Sequence, residues 1–457
     1  MGKPALWPKE ISVSTTGDHP LQADGQALAG RAVADAGRGA TESNPRTVSP
    51  EKPQGGGRGP KGRKGRRRKR RRPVYAPGTG PRAEPEASPA ASSAMPISAS
   101  ADTAPSSRQP LLGAAEGSLY AALDLGTNNC RLLIAAPRDH GFRVVDAFSR
   151  IVRLGEGIGM SGRLGEPAMA RAIEALKICS AKLADRGVTR ARLIATEACR
   201  TAANGEEFIE RARVETGLAL EIVTRETEAR LAVAGCASLV DPTARGVILF
   251  DIGGGSSELV WIDLAPSADG RRRRMADRIR HWMSLPVGVV NVSERHGGRH
   301  VTPVMFEAMV AEVAVMLADF PGAELLDVAV ADGGIHMLGT SGTVTTLAGV
   351  HLRLPRYDRR RVDGTWLSGD QVADLVMTLV GMDYDSRVAN PCIGRERADL
   401  VLAGCAILEA IRRRWPCERL RVADRGLREG VLVELMAEDG VWRSRSGRRA
   451  GERAEHG

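Results

Sequence analysis

A glycine-rich segment bounded by two carboxylates is the first stretch of this sequence whose residues could do chemistry. In LFDIGGGSSEL, Asp251 ends an apolar run, three glycines and two serines follow, and Glu258 comes next. Glycines lack a Cβ atom and allow positive φ, so successive backbone N–H groups can converge on one anion such as phosphate. Because two carboxylates would repel a bare phosphate, we predict Mg²⁺ between them and the phosphate. A tight hairpin with solvated carboxylates is the alternative.

A second segment has the same arrangement of residues. YAALDLGTNNCRLLIA places Asp124 and Gly126 after an apolar run, and Asp124 precedes Asp251 by 127 residues. Both segments continue directly into another apolar run, Cys130–Ala135 in one and Glu258–Ile262 in the other. Each segment is therefore predicted to be a β-hairpin with Asp and Gly at its tip. The repeat indicates two similar subdomains, each of which contributes one tip to a shared cleft.

A third glycine-rich turn leads into a helical pattern. IHMLGTSGTVTTLAGV runs from a short apolar strand through Gly339, Ser341, Gly342 and Thr343 into a helix. The free N–H groups and the positive dipole end of a helix N-terminus favour an anion at this position. Three phosphate-compatible turns in one chain favour a phosphate site over three purely structural turns.

Composition divides the chain near residue 116. Fifteen of the 25 prolines and only two aromatic residues precede this point. Residues 1–115 cannot bury enough apolar surface to fold, and we predict that they are disordered. The rest alternates apolar strands with amphipathic helices, which indicates an α/β architecture. We predict one domain over residues 116–242, a second over residues 243–438, and a polar tail over residues 439–457.

The positive charge of the chain is local. Eleven Lys or Arg and no acid lie in residues 58–72, and the formal net charge of +10 becomes −1 when this run is left out. Such a run should attract polyphosphate or RNA without sequence preference, and a solubilising tail without a partner is the alternative.

Cysteine usage and hydropathy bear on the compartment. The seven cysteines are scattered without a C-x-x-C pair, no apolar run is long enough to span a bilayer, and the N-terminus has no apolar signal segment. These features predict a cytoplasmic protein with reduced thiols and no contact with a membrane. The oligomeric state is left open, with a homodimer as one alternative.

Seven segments of the chain together resemble one protein family. They are DLGTNNCRLLI, ATEACRTAAN, EIVTRETEARL, DIGGGSSEL, SLPVGVV, GTSGTVTTLAG and GLREGVL. Their order is that of the exopolyphosphatase and guanosine-pentaphosphate phosphohydrolase family, and the resemblance extends over roughly residues 118–437. It implies an α/β fold in which two ribonuclease-H-like domains of the actin-like, sugar-kinase-like superfold flank a phosphate-binding cleft. It also implies Mg²⁺-dependent release of terminal phosphate from inorganic polyphosphate or guanosine pentaphosphate.

The resemblance assigns roles by position. Glu228 in ETEAR aligns with the catalytic glutamate that orients and deprotonates the attacking water. Asp251 and Glu258 match the acidic residues that hold metal and water, and Arg200 matches an arginine expected to contact phosphate. The three loops give the predicted phosphate-binding residues, namely Asp124, Gly126, Thr127, Asn128, Gly253, Gly254, Gly255, Ser256, Ser257, Gly339, Ser341, Gly342 and Thr343. Apart from the resemblance, Glu228 is typical of a helix N-terminus, where the dipole favours a carboxylate.

Some positions depart from the family pattern or leave alternatives open. Asn129 stands where a small hydroxyl donor is usual, and Asp363 stands where a histidine is common, so a role carried by that imidazole is in doubt. Basic residues 359–361 resemble those along the family's polyphosphate path, and a solvated turn is the alternative. The chain has no His-Asp dipeptide of the HD-type domain that long members add, so a short form is expected.

Two rival functions belong to other classes. A kinase of the same superfold would pass phosphate from ATP to an acceptor, and the ETEAR segment argues against it. A non-catalytic protein would bind polyphosphate, an alarmone or RNA, and the intact carboxylates at Glu228, Asp251 and Glu258 argue against that function.

Overall fold

The computed structural model of the protein describes residues 118–266 and 274–442, which form two β-sheets and the helices that cover them. The predictions for residues 1–115, including the basic run 58–72, and for residues 443–457 of the C-terminal tail lie outside the described residues. No helix in the two described ranges is long and apolar enough to cross a membrane.

The first sheet and its helices occupy the N-terminal half of the described chain. The elements are β1 Tyr120–Leu125, β2 Asn129–Pro137, β3 Phe142–Ile151, α1 Ile158–Ser161, α2 Glu166–Asp185, β4 Arg190–Ala195, α3 Glu197–Thr201, α4 Gly205–Thr216, β5 Glu221–Ile222 and α5 Arg225–Cys236. The strand order is β3-β2-β1-β4-β5. β1 and β2 form an antiparallel hairpin, whereas β1 pairs with β4 in parallel.

The second sheet begins after a short 3-10 turn at Ala237–Leu239. Its strands are β6 Gly246–Ile252, β7 Ser257–Asp263, β8 Ile279–Leu285, β9 Ile335–Thr340, β10 Trp366–Ser368 and β11 Arg419–Val422. The helices of this part are α6 Val289–His296, α7 Pro303–Leu317, α8 Ala323–Ala331, α9 Ser341–His351, α10 Arg359–Val362, α11 Gly369–Gly381, α12 Tyr384–Ala389, α13 Val401–Arg414 and α14 Leu427–Glu438. The strand order is β10-β11-β9-β6-β7-β8.

Five strands of the second sheet repeat the topology of the first. The series β8-β7-β6-β9-β11 corresponds to β3-β2-β1-β4-β5, since a hairpin is followed in each case by parallel partners. The predicted runs Cys130–Ala135 and Glu258–Ile262 lie within β2 and β7. The α/β class and the two hairpins predicted from the repeated segments are therefore confirmed.

Two helices lie between the sheets and connect them. α14 packs on the first sheet in a core that contains Tyr120 and Leu133. α5 packs on the second sheet in a core that contains Val247 and Val260. The other face of the first sheet is covered by α2 and α4, and that of the second mainly by α7, α9, α11 and α13. Because α5 carries Glu228, its packing between the sheets fixes this side chain relative to both hairpins.

The contact between α5 and α14 depends on glycine. A Cβ atom at Gly235 would lie 1.9 Å from the carbonyl oxygen of Gly426, and one at Gly430 would lie 2.0 Å from that of Leu231. Both distances are far inside van der Waals contact, so the two helix backbones can approach this closely only without side chains.

Gly235→Ala is expected to destabilise the protein by about 1–3 kcal/mol or more, because the added methyl forces the two helices apart. The unfolding midpoint in guanidinium chloride measures this effect. Gly381→Ala is the matched control, since a Cβ atom at this helix end meets nothing within 4 Å. Equal midpoints for the two variants would contradict the packing described for α5 and α14.

Candidate active site

The tips of the two hairpins touch each other in one cleft. A Cβ atom at Gly254 would lie 2.9 Å from Thr127 Cβ and 3.2 Å from the backbone nitrogen of Asn128. A Cβ atom at Gly255 would lie 2.8 Å from Thr127 Oγ1. Glycine is therefore required here for close approach of the tips. The cleft has a volume of about 710 Å³ and is also lined by the turn between β9 and α9.

The tip glycines do not use the positive φ that glycine allows. Among residues 118–266 and 274–442, the glycines with positive φ do not include Gly126, Gly342 or residues 253–255. The left-handed conformation occurs instead at Ser341, with φ of 72°. A non-glycine residue in this region is strained, and such strain persists only where surrounding contacts impose it. Here the Ser341 hydroxyl donates to Asp251 Oδ1, which links the third turn to the second hairpin.

Helix α6 holds the carbonyl side of the second tip. The backbone N–H groups of Val289 and Val290 donate to the carbonyl oxygens of Gly253 and Gly254, at 3.0 and 2.8 Å. The Asn291 amide donates to the carbonyl oxygen of Gly255 at 2.9 Å. In the part of the chain that the structure describes, the backbone N–H groups of Gly254 and Gly255 donate to no protein acceptor. Two oriented donors are thus free to bind an anion.

Two carboxylates lie side by side across the second hairpin, where Asp251 pairs with Glu258 in register. Glu258 is buried, and its Oε1 accepts hydrogen bonds from the hydroxyls of Ser256 and Ser284, both at 2.9 Å. Burial raises the pKa of Asp251. Burial and then the charge of Asp251 raise the pKa of Glu258 to about 7. Negative charge in this position favours a cation or a proton as its partner.

Glu228 lies in the first turn of α5, whose N-cap Thr224 accepts a hydrogen bond from the backbone N–H of Thr227 at 3.2 Å. Its side chain is 12% exposed, and Arg200 Nη2 donates to Glu228 Oε2 at 3.1 Å. Burial and then the charge of Glu258 raise the pKa of Glu228 well above its usual range, while Arg200 opposes the shift. A carboxylate with a raised pKa is a stronger base when it is ionised, which suits it to accept a proton from water.

The residues of the cleft fit Mg²⁺. The side-chain oxygens Oδ1 of Asn128 and Asn129 are buried without a hydrogen-bond partner in the described ranges. These oxygens and the carboxylates of Asp251 and Glu258 are of the type that Mg²⁺ prefers. The described residues contain no group of three or more His, Cys, Asp or Glu that could hold a metal by themselves. Proteins usually bind Mg²⁺ with one or two carboxylates, and water and phosphate oxygens complete its coordination. The carboxylates of Asp251 and Glu258 are therefore sufficient.

Three arginines that line the cleft were not predicted. Arg131, Arg397 and Arg428 make no ion pair with any carboxylate in residues 118–266 and 274–442. Burial, together with the charge of Arg131, lowers the pKa of Arg397 and of Arg428. Unpaired cations in a partly buried cleft are a site for a polyanion.

A model of the Ppx/GppA phosphatase family matches residues 133–439. The chain belongs to the Ppx/GppA phosphatase family. Exopolyphosphatase 2 of Mycobacterium tuberculosis is similar to it, with 28% identity over 330 residues that cover 69% of this chain and 98% of the relative. The predicted family is therefore confirmed, and the protein is a phosphohydrolase.

Solved structures agree with this assignment. A Ppx/GppA family member from Aquifex aeolicus has a TM-score of 0.55 at 29% identity, with 70% of this chain and 98% of that chain covered. An exopolyphosphatase from Cytophaga hutchinsonii has a TM-score of 0.60 at 25% identity, with 71% and 99% covered. The predicted actin-like superfold is thereby confirmed for this Ppx/GppA protein.

Most of the predicted site residues line the cleft of this Ppx/GppA protein. They are Asp124, Gly126, Thr127, Asn128, Glu228, Asp251, Gly253, Gly254, Gly255, Ser256, Glu258, Ser341, Gly342 and Thr343. Gly339 instead lies within β9, where a Cβ atom would be 2.6 Å from the ring of Phe250. Ser257 donates its hydroxyl to the carbonyl oxygen of Val287 at 2.7 Å. These two residues pack the walls of the site and do not face the cleft, and contact of the others with phosphate stays a prediction.

Arg200 does not line the cleft as expected for a phosphate ligand. It forms its ion pairs with Glu197 and Glu228, at 2.6 and 3.1 Å. Asp363, which stands where the family often has histidine, pairs with Arg425 and so contributes to structure. Arg359 lines the cleft but pairs with Glu429, which leaves it less available to an anion than the three unpaired arginines.

The metal-free Ppx/GppA protein should lose stability as the pH rises through 7. The pKa of Glu258 rises from 4.5 to about 7 on folding, so the folded state holds a proton that the unfolded state releases. The stability due to this proton is fully present below pH 4.5 and is lost as the pH passes about 7.

The variant Glu258→Gln tests this pH dependence, because its side chain does not titrate. Without metal, the Tm of this variant minus that of the natural protein should increase between about pH 5 and about pH 8. A difference that stays constant over this range would show that Glu258 does not titrate as described.

Proposed function

We propose that this protein is a Mg²⁺-dependent exopolyphosphatase that releases terminal phosphate from inorganic polyphosphate. The observation that carries the proposal is the common location of a base, free anion donors and unpaired cations. Glu228, the amides of Gly254 and Gly255, and the three unpaired arginines all line one cleft. The name of the similar Mycobacterium tuberculosis protein, exopolyphosphatase 2, supports the same activity.

The chemistry follows from the parts of the site. Hydrolysis of a phosphoanhydride has a loose transition state, so positioning and charge stabilisation supply most of the catalysis. Glu228 accepts a proton from water as the water oxygen attacks the terminal phosphorus, and the bond from that phosphorus to the bridging oxygen breaks. The products are orthophosphate and a chain that is one phosphate shorter. The amides of Gly254 and Gly255 donate to the phosphoryl oxygens.

Mg²⁺, when bound by Asp251 and Glu258, would neutralise charge on the phosphoryl oxygens. The two carboxylates then need no proton, although burial raises the pKa of each. The metal is therefore expected to favour the ionised form of both side chains, and its binding should release protons near neutral pH.

The cleft suits a repeating anion better than a nucleotide base. Arg131, Arg397 and Arg428 line the cleft and form no ion pair within the described residues. Among the described residues that line the cleft, Tyr357 is the only Phe, Trp or Tyr, and its hydroxyl donates to Asp424 at 2.6 Å. Aromatic side chains are the usual platforms for an unpaired base. Polyphosphate is thus the favoured candidate substrate. Guanosine pentaphosphate, which has the same terminal phosphoanhydride, is the second candidate to test.

One comparison of substrates tests the proposal. Orthophosphate release with Mg²⁺ is measured on long polyphosphate, short polyphosphate, guanosine pentaphosphate and ATP, with and without a chelator. We expect the highest kcat/KM on long polyphosphate and loss of activity with the chelator. Transfer of phosphate from ATP to an acceptor would favour the kinase. Tight binding of polyphosphate without release of phosphate would favour the non-catalytic protein.

The basic run at residues 58–72 is proposed to capture long polyphosphate by charge alone. Its eleven Lys or Arg have no acid among them, so binding should weaken steeply with salt. Deleting residues 1–110 should leave turnover of a short substrate unchanged and weaken binding of long polyphosphate at low salt. The difference should vanish near ~1 M salt, where screening shortens to about 3 Å. Equal affinity for long polyphosphate and for RNA with and without these residues would show a tail that binds neither.

A further inference from the structure

Glu197 is a carboxylate in the active-site cleft to which the hydrolysis assigns no role. It is the first residue of α3 and is only 6% exposed. Its Cγ atom lies 3.2 Å from the position of a Cβ atom at Gly255, so it is placed directly beside the second hairpin tip. A buried carboxylate so close to a site for phosphate would oppose binding unless its charge is neutralised.

Two arginines neutralise Glu197. Arg200 donates from Nε and Nη2 to Glu197 Oε2, at 3.0 and 2.6 Å. Arg225 donates from Nη2 to Oε1 at 2.7 Å and from Nε to Oε2 at 3.2 Å. Arg225 thus donates to both carboxylate oxygens, the geometry that fixes orientation most strongly, whereas Arg200 directs two donors to Oε2 alone. The carboxylate of Glu197 thereby joins α3 to the first residue of α5.

The same arginines determine where Glu228 lies. Arg200 also donates from Nη1 to the carbonyl oxygen of Val223 at 2.5 Å, and its Nη2 reaches Glu228 Oε2 at 3.1 Å. Arg225 lies three residues before Glu228 in the first turn of α5. The charges of the two arginines therefore balance those of Glu197 and Glu228, and Glu197 accepts most of the hydrogen bonds. Glu228 accepts only one hydrogen bond from this cluster, which leaves it free for water.

We propose that Glu197 is a positioning residue, which binds Arg200 and Arg225 so that Glu228 stays a weakly paired carboxylate at the cleft. The proposal rests on the proposed hydrolysis, in which Glu228 is the base. Without the negative charge of Glu197, Arg200 keeps Glu228 as its ion-pair partner, and Arg225 is left with the charges of Glu258 and Glu228. Glu228 would then be drawn into closer ion pairs and away from the attacking water.

The test uses the full chain and long polyphosphate with Mg²⁺. Glu197→Gln should lower kcat by about 10- to 100-fold, the usual effect of a base displaced by about 1 Å, and change KM little. Stronger pairing stabilises ionised Glu228, so the acid limb of the kcat profile should move to lower pH. The charged groups that face Glu228 are Arg200, Glu258 and Asp251, and Arg225 also senses its charge. Arg225 also faces Glu258, so Glu197→Gln frees this arginine to act on Glu258 as well as on Glu228.

Two further variants separate positioning from folding. Glu197→Asp keeps the charge and should retain more activity than Glu197→Gln. The double variant Glu197→Gln with Arg225→Gln also removes the cation that Glu197→Gln leaves unpaired. It should therefore recover part of the lost kcat, and the acid limb of its kcat profile should move back toward that of the natural protein. Glu210→Gln is the matched control, because Glu210 pairs with Arg213 on the exposed face of α4. It should leave both kcat and the pH profile unchanged.

The outcomes distinguish this inference from the proposed function. If the natural protein releases no phosphate from polyphosphate, the proposed function fails. If the natural protein is active and Glu197→Gln has the same kcat and pH profile, only the role of Glu197 fails. A raised KM with unchanged kcat, or a double variant less active than Glu197→Gln, would also overturn it. Recovery in the double variant cannot come from a folding defect, since that variant lacks more of the native contacts than the single one.

Discussion

Glu228→Gln should lower turnover of polyphosphate by about 10²–10⁴ and leave substrate binding largely intact. The amide keeps the length of the side chain and can still accept a hydrogen bond from Arg200, but it cannot take a proton from water. Orthophosphate release under saturating substrate gives kcat, and equilibrium binding of polyphosphate gives affinity. A large loss of kcat with unchanged affinity identifies a group that acts in the transition state.

Glu226→Gln is the control for this experiment. Glu226 lies in the same first turn of α5 as Glu228, but it is exposed to solvent. The control should keep the turnover of the natural protein. Near-normal turnover by Glu228→Gln would refute the assignment of the base.

Asp251→Asn and Glu258→Gln should each weaken Mg²⁺ binding and lower turnover. Each variant removes one of the two carboxylates that line the second hairpin tip, and with it the charge that offsets the cation. Loss of an outer-shell partner usually costs about 10- to 100-fold in metal affinity or activity, and loss of a ligand should cost at least as much. The measurements are the Mg²⁺ concentration for half-maximal activity and Mg²⁺ binding by calorimetry, which does not depend on turnover.

Asp263→Asn is the matched control for the metal. Asp263 ends the same strand as Glu258 but pairs with Arg280 at its far end. Its Mg²⁺ affinity should equal that of the natural protein. If Asp251→Asn and Glu258→Gln also keep that affinity, the protein holds the metal elsewhere.

The hairpins and the third turn could be predicted because their signals are local. An apolar run that ends in Asp and Gly and resumes at once specifies a strand, a turn and a strand within about 16 residues. The alternation of side chains along a strand explains why Ser257 was wrongly included, since neighbouring strand residues face opposite sides. Glu258 faces the cleft, so Ser257 cannot. Gly339 differs in the same way, because β9 continues past it to Thr340 before the turn begins.

Contacts between distant segments could not be predicted from such signals. The close approach of Gly254 to Thr127 and the ion pair of Glu197 with Arg225 depend on how α5 packs between the sheets. Arg131 is an intermediate case. The hairpin register pairs it with Asp124, so the predicted hairpin already placed an arginine beside the first tip.

The proposed hydrolysis from the chain end leads to a definite product. In hydrolysis from the end of the chain, we expect only the terminal phosphate to reach Glu228 and the amides of Gly254 and Gly255. Internal phosphates would then lie in the same cleft, where Arg131, Arg397 and Arg428 supply positive charge. The products of hydrolysis therefore report directly on how the substrate lies in the cleft.

Phosphorus NMR of long polyphosphate during hydrolysis is the most direct test of the central claim. With Mg²⁺ and the full chain, the account predicts that orthophosphate appears from the start as the only small product, while the remaining chains shorten from their ends. Glu228→Gln should abolish this signal at the same protein concentration. Fragments of intermediate length, or unchanged polyphosphate with the natural protein, would contradict terminal hydrolysis in this cleft.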